Sequence, residues 1–596
     1  MTRQSLDLPP GMFSDDSRLA SKGRWATGSN VRFVEGRPEI IGGWESLTDS
    51  LLTGVCRNIF QWTDRLAAPS LNIAFGTHSR LQVWVGGSLF NITPTLALPE
   101  QTLGNNPIAT TNTLTTVVVT QAGHPHLVGD SVTISGATAV ATVTINGTWT
   151  VTAVTTNTWS FTAGSSANAT TTGGGAAVLA KPNKAFADGA IDGTGGAGFG
   201  TGAWDVGTYG SPSTSDYWPR TWSIAAWGGQ MVASPRAGTI HLWQNVTGTP
   251  AAPIREAPAR VRAMVVSNTD QIFALGCNEE VSGVYNPLCI RYSGIRRVNE
   301  WTTLTPSDST SREYILPGGG EIVTGRNLGP YILIWTTKDL FFADFTGNLA
   351  APWRFTRVGE NCGAAGPNAV AVKGQRAFWW APDGQFLTFS PGGQPEVIEC
   401  PISQDAIDNI SPSQLDKIVA SINSNFNEVR FDYPDGRDGF ENSRYLAMSI
   451  SDLRWYSGVM ARTAMVDSGP SDTPIGTTAG GNIYWHERGR SADGSPLAWS
   501  IESGEMFFDP ERTSLIRGLL PDVKDQVGPW ALTLFTRIRP NQPPTTYGPY
   551  TFASTDDQVD FMATGWLFRI KFSGSSSPAR GRLGLPQFDY TLLGKR

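Results

Sequence analysis

The chain of 596 residues carries 45 basic and 51 acidic side chains, a net charge of −6, which excludes a nucleic-acid binder built on a basic stripe. Charged residues amount to 16%, below the quarter usual for a globular domain, as expected where much of a surface lies against partners. Five widely spaced cysteines (Cys56, Cys277, Cys289, Cys362 and Cys400) form no CxxC pair, so no zinc site or disulfide framework is indicated and plain thiols in a reducing cytoplasm are expected.

The opening, MTRQSLDLPPGMFSDDSRLAS, lacks the apolar core of a cleaved signal, and no long uncharged apolar run follows, so no membrane-spanning segment is expected. Residues 1–54 read as short strands and loops. The next segment, 55–104, contains the clearest pattern in the chain, LNIAFGTHSRLQVWVGGSLFNITP from Leu71 to Pro94. Its apolar residues alternate (Ile73, Phe75, Leu81, Val83, Val85) between Gly76, Gly86-Gly87 and Pro94, predicting two or three antiparallel strands joined by tight turns.

From 105 to 180 the composition shifts to Thr, Val, Ala and Gly. β-Branched residues favour pleated, half-buried surfaces, and Asn146-Gly147 is a strong hairpin signal. A small inserted antiparallel β-domain of five or so strands is expected. Residues 181–216, including GAIDGTGGAGFGTG, read as a Gly-rich linker.

Strand-turn units resume over 217–490, at Thr221 to Trp243, Val261 to Cys277, Leu288 to Leu304, Ile322 to Phe345, Ala369 to Phe389, Val419 to Trp455 and Ala464 to Trp485. Turn signals such as Pro382-Asp383-Gly384 and Pro434-Asp435-Gly436 separate them. A recurrence of about 40–50 residues is that of β-propeller blades, and six or so blades are expected. One helix is predicted over Ser413 to Ile422. Residues 491–596 read as a further β-rich domain. The fold class is therefore all-β: an irregular propeller, an inserted β-domain and a β-rich platform from the chain ends.

Candidate chemistry is sparse. Gly193-Thr-Gly195-Gly-Ala-Gly198 matches GxGxxG by letter, but neither flank reads as the strand and helix that dinucleotide binding needs. Asp432, Asp435, Asp438 and Glu441 do not have calcium-loop spacing and read as a solvated hairpin tip. His124-Pro-His126, His78, His241 and His486 lack Cys or acidic neighbours at metal spacing and read as turn or surface histidines. The N-x-T matches at Asn91, Asn146, Asn168 and Asn245 matter only on a secretory route. Trp243, Trp379-Trp380 and Trp455 read as core. No GxSxG or HExxH occurs. A carboxylate pair for glycoside hydrolysis has no sequence spacing and stays open. No catalytic, cofactor-binding or metal residue is assigned, and the chain is expected not to be an enzyme.

Several segments resemble tail nozzle, or tail hub, proteins of short-tailed bacteriophages. They are LPPGMFSDDSRLASKGRWATGSNVRFVEGRPEIIGGW at the start, GTHSRLQVWVGGSLFNITP, RTWSIAAWGGQMVASPRAGTIHLW in the middle, and WLFRIKFSG…GRLGLPQFDY at the end. The insert, with GHPHLVGDSVTISG…INGTWTV, is similar to small β-modules of phage tail and fibre proteins. The resemblance implies a virion protein assembled in the bacterial cytoplasm. It implies a homo-hexameric ring joined through an adaptor to the portal, bearing fibres or spikes, and retaining and then conducting double-stranded DNA. A recognition module for host glycan or a fibre partner is the alternative that the aromatic content leaves open.

Overall fold

The computed structural model describes residues 2–595 apart from 16, 18, 65–69, 95–99, 125, 127, 129, 183–188, 194–217 and 304–308. Seven four-stranded antiparallel sheets make the body, one more than expected. The first strands of the seven are Cys56–Asp64, Trp222–Trp227, Val261–Val266, Ile322–Leu328, Val370–Lys373, Val419–Asn423 and Ala464–Val466. Each touches the next, and the last touches the first, so they ring an axis; the sheets are numbered here as blades 1 to 7 in that order. That closed circle of meanders is a β-propeller.

The strongest sequence pattern is blade 1, with strands Ser70–Thr77, Leu81–Val85 and Ser88–Asn91 following the first. Gly76 lies inside a strand, not at a turn. A Cβ there would stand 2.6 Å from the Trp222 side chain, so only glycine lets blade 2 come this close. The Trp222 indole N–H then donates to the Thr77 carbonyl at 2.8 Å.

Blade 7 has three strands of its own, ending at Ile483–His486. Its fourth is Trp44–Ser46, paired antiparallel with Tyr484, Trp485 and His486. Chain from upstream of blade 1 thus completes the last blade by a non-local pairing, with Trp44–Ser46 as the outer edge of that sheet.

The two chain ends build the platform together. Thr2–Ser5 pairs with Gln587–Lys595, Trp25–Ser29 with Leu497–Ser503, and Arg37–Ile40 with Arg580–Leu583. One hydrophobic core runs from these sheets into blades 5 and 6, joining Trp25, Trp499 and Trp530 to Phe386, Phe431 and Trp455. Platform and propeller therefore share an interior.

The insert leaves the chain after the outermost strand of blade 1 and holds eight strands between Gln101 and Pro182. Alternation decides its faces. Val117, Val119, Val151, Trp159 and Phe161 turn into a separate core, while Thr116, Thr120, Thr148, Thr152 and Thr162 stay exposed. Arg80 of blade 1 lies 3.7 Å from Asp130 of the insert, both buried.

The helix expected over Ser413 to Ile422 does not form. Pro412–Lys417 is a short 3₁₀ turn, and Val419–Asn423 is the inner strand of blade 6, where tertiary pairing of Val419 and Ile422 overrides a weak helical pattern. A short helix not foreseen, Gln404–Asn409, precedes it. The Gly-rich segment at 194–216 lies outside the described residues.

Candidate functional site: the closed axial mouth

The starts of the inner strands surround one end of the propeller axis, and they bring together cations that are far apart in sequence. Arg57 begins blade 1 and is buried. Its guanidinium makes a two-pronged contact with Glu441, 2.6 Å on each prong, a geometry that suits a carboxylate. Lys417, just before blade 6 and also buried, reaches Glu441 at 2.9 Å, Asp192 at 2.6 Å and the Phe440 carbonyl at 2.8 Å. Burial pushes the Glu441 carboxyl up, but Arg57 and Lys417 outweigh it and hold it below its ordinary range.

A strap of chain at 189–193 crosses this mouth. Gly189 N–H donates to His78 O, Ile191 O accepts from Arg57, and Gly193 exchanges two hydrogen bonds with the Gln414 side-chain amide at 2.9 and 2.8 Å. Gly193, read by letter as the start of a dinucleotide motif, is thus an anchor of the strap, and residues 194–198 lie outside the described residues. Beside it, Trp218 carries the guanidiniums of Arg236 and Arg262 on its ring, 4.4 and 4.8 Å from the centroid. Asp416 faces Arg236 at 3.3 Å, and Arg262 pairs with Glu321.

Asn368 fixes the axis itself. It precedes the inner strand of blade 5, yet its amide donates to the Arg57 carbonyl of blade 1 (2.8 Å) and to Thr221 Oγ1 before blade 2 (3.2 Å). Blades 1 and 2 stand opposite blade 5 in a ring of seven, so these bonds cross the axis. Asn368 also accepts from Arg326 of blade 4 at 3.3 Å, and its carbonyl takes the Ala420 N–H of blade 6 at 2.7 Å. Asn368→Ala should therefore cost about 1–3 kcal/mol, the range for orphaning buried partners, read as a lower urea midpoint. An unchanged midpoint would remove Asn368 from this role.

The acidic run is a solvated tip only at Asp438, which is exposed. Asp432 and Asp435 are fully buried. Asp432 pairs with Arg430, Asp435 with Arg437 and Arg444, Asp438 with Arg444, and Glu441 with Arg57 and Lys417. Three histidines expected at turns or the surface are also buried: His126, His241 and His486. Among the described residues no group of three or more His, Cys, Asp or Glu is placed to hold a metal ion. Trp243, Trp379, Trp380 and Trp455 are core residues, each at most 2% exposed.

A second buried network ties the platform to the propeller. Arg32, on platform strand Val31–Val34, lies 3.3 Å from Glu428 of blade 6 and donates to Glu487, just past the Ile483–His486 strand of blade 7, at 3.0 Å. A cavity of about 30 Å³, the size of one water, lies between these groups, Asn423 and Tyr456. Burial pushes the Glu428 carboxyl up, only partly offset by Arg32. These partners were invisible in the sequence, where Arg32 and Glu487 stand 455 residues apart.

No protein-family model matches the chain, and no curated protein matches it. Solved structures similar to it include the computationally designed Ika8 protein (TM-score 0.32, 12% identity, 74% of this chain and 100% of that one). Others are the Pan2 WD40 domain of Neurospora crassa (0.29, 10%, 45% and 76%) and BamB from Moraxella catarrhalis (0.26, 12%, 44% and 81%). Likenesses at these scores carry no functional argument.

Proposed function

We propose that this chain is a structural subunit of a short-tailed phage tail, a nozzle or hub. Six copies would form a ring that joins the portal through an adaptor, holds packaged double-stranded DNA and then conducts it, and carries fibres or spikes. The observation that favours this reading over a ligand-binding propeller is the occupied axis: strap, ion pairs and Asn368 fill the place where a propeller would hold a small molecule. The blades then serve as a rigid body stiffened by the platform, and a conduit must lie between subunits. A net charge of −6 per chain suits passage of DNA, because each phosphate neutralised by Lys or Arg adds salt-sensitive affinity and retards sliding.

Electron microscopy and light scattering on the purified chain test this. The expected result is a six-fold ring with an axial hole and a mass six times 64.0 kDa. A monomer at every concentration, with the chain absent from virions, would end the reading.

The alternative, recognition of host glycan or a fibre, draws support from the insert. Asp130 and Lys181 are the only Asp, Glu, Lys or Arg between residues 101 and 182, and its exposed sheet face is lined with threonine hydroxyls. A surface so poor in charge fits a neutral partner. Binding of the monomeric full chain on a glycan array would favour this second reading.

A further inference from the structure

Two of the five cysteines meet in blade 3. Cys277 lies on Ile272–Asn278 and Cys289 on the neighbouring strand Tyr285–Tyr292, both completely buried, with their sulfurs 3.8 Å apart. The contact depends on an irregularity in the pairing. Leu275 faces Ile290 and Cys277 faces Asn286, so residues 287–289 stand against Gly276 alone. Gly276 takes the left-handed conformation (φ +61°) that this bulge needs. The bulge turns both thiols into the same apolar layer against blade 2. The hairpin between them carries the most exposed large apolar side chain among the described residues, Val281 at 88%, with Val284 at 65%.

We propose that Cys277 and Cys289 form a closable disulfide that locks the base of this hairpin when the protein meets an oxidising small-molecule disulfide. The two sulfurs already stand 3.8 Å apart across the bulge, against about 2.05 Å in a disulfide, so small movements of the two side chains close the gap. One protein thiolate attacks a sulfur of the external disulfide and expels one thiolate. The second protein thiolate attacks the protein sulfur of that mixed disulfide and expels the other. One S–S bond forms in the protein and one is lost outside it; the two thiol protons leave with the two released thiols. Full burial makes the reaction slow, gated by local opening of the blade. The closed loop removes freedom from the unfolded chain and so stabilises the blade.

The test uses the folded full chain incubated with hydroxyethyl disulfide, quenched with acid, alkylated and digested with trypsin. Both cysteines fall in one tryptic peptide, Ala263 to Arg291. The expected product is that peptide lighter by two hydrogens and resistant to alkylation, in protein whose melting temperature has risen by several degrees. Cys289→Ser should give neither change, only a mixed disulfide on Cys277. Cys400, partly exposed, reports that the oxidant has acted. A doubly alkylated peptide alongside a modified Cys400 would overturn the proposal, as would a cross-link that forms only in denaturant or brings no rise in melting temperature.

Discussion

Arg32→Met should lower stability at pH 7 by about 3–5 kcal/mol, the cost of breaking a buried ion pair from one side. The arginine is 4% exposed and sits between Glu428 and Glu487, with its guanidinium 3.7 Å from the centre of the Phe426 ring. Methionine fills similar space but leaves two carboxylates facing each other without a cation. The cost falls on the junction between platform and propeller, so the substitution should weaken both together. Its signature is pH. Without Arg32 the Glu428 carboxyl, already pushed up by burial, loses the cation that offsets it, and acid neutralises it, so the stability gap between variant and wild type should narrow as pH falls from 7 towards 5. Urea titrations at several pH values provide the measurement, and a gap independent of pH would show that unpaired charge is not the cause.

Acid should unfold the wild-type chain well before its carboxylates are exhausted. Burial holds the His241 imidazole down to about 4, and burial with the neighbouring His124 charge does the same for His126. His486 is likewise held well below its ordinary value, by burial and then by the charges of Arg462 and Arg430. Its Nε2 accepts a hydrogen bond from Arg462, which requires the neutral ring. Each is neutral in the folded state yet protonates near 6.5 when unfolded. The unfolded chain thus binds more protons, so stability falls as pH drops below about 6.5 and the loss is complete near the folded value. For the deeply buried His241 the full loss is about 3 kcal/mol, taking about 1.4 kcal/mol per pH unit. Glu441, Asp435 and Asp438, held below the ordinary carboxylate range by their cations, extend the loss to lower pH. Glu428 and Asp432, pushed up by burial, act in the opposite direction. The expected result is a melting temperature that declines steadily from pH 6.5 to 4, with a shallower decline in His241→Gln. A flat profile over that interval would contradict the buried neutral histidines.

How much of this was readable beforehand depends on the range of the interaction. The alternation Ile73, Phe75, Leu81, Val83 and the turn glycines Gly86-Gly87 act within a few residues, so blade 1 could be located in advance. The Thr and Val bias likewise marked the insert, because strand preference and hairpin turns are local. The same locality misled at Gly76, where a close approach of Trp222 and not a turn demands glycine, and at 413–422, where blade pairing overrode a short helical pattern. The acidic run misled for a related reason. Arg430, Arg437 and Arg444 of the same hairpin pair with its Asp residues, and only Glu441 is neutralised from elsewhere, by Arg57 and Lys417; spacing alone did not show that these neighbours would be folded onto one another.

From the sequence alone came the all-β character, the repeating strand-turn unit and the insert, since each rests on residue type and near-neighbour spacing. Only the tertiary structure decided that there are seven blades, that Trp44–Ser46 completes the last of them, and that the axis is closed by residues 189–193 and Asn368. Those features pair groups hundreds of positions apart. Chain closure brings such groups together through the summed packing of every blade, and no local spacing records which of them will meet.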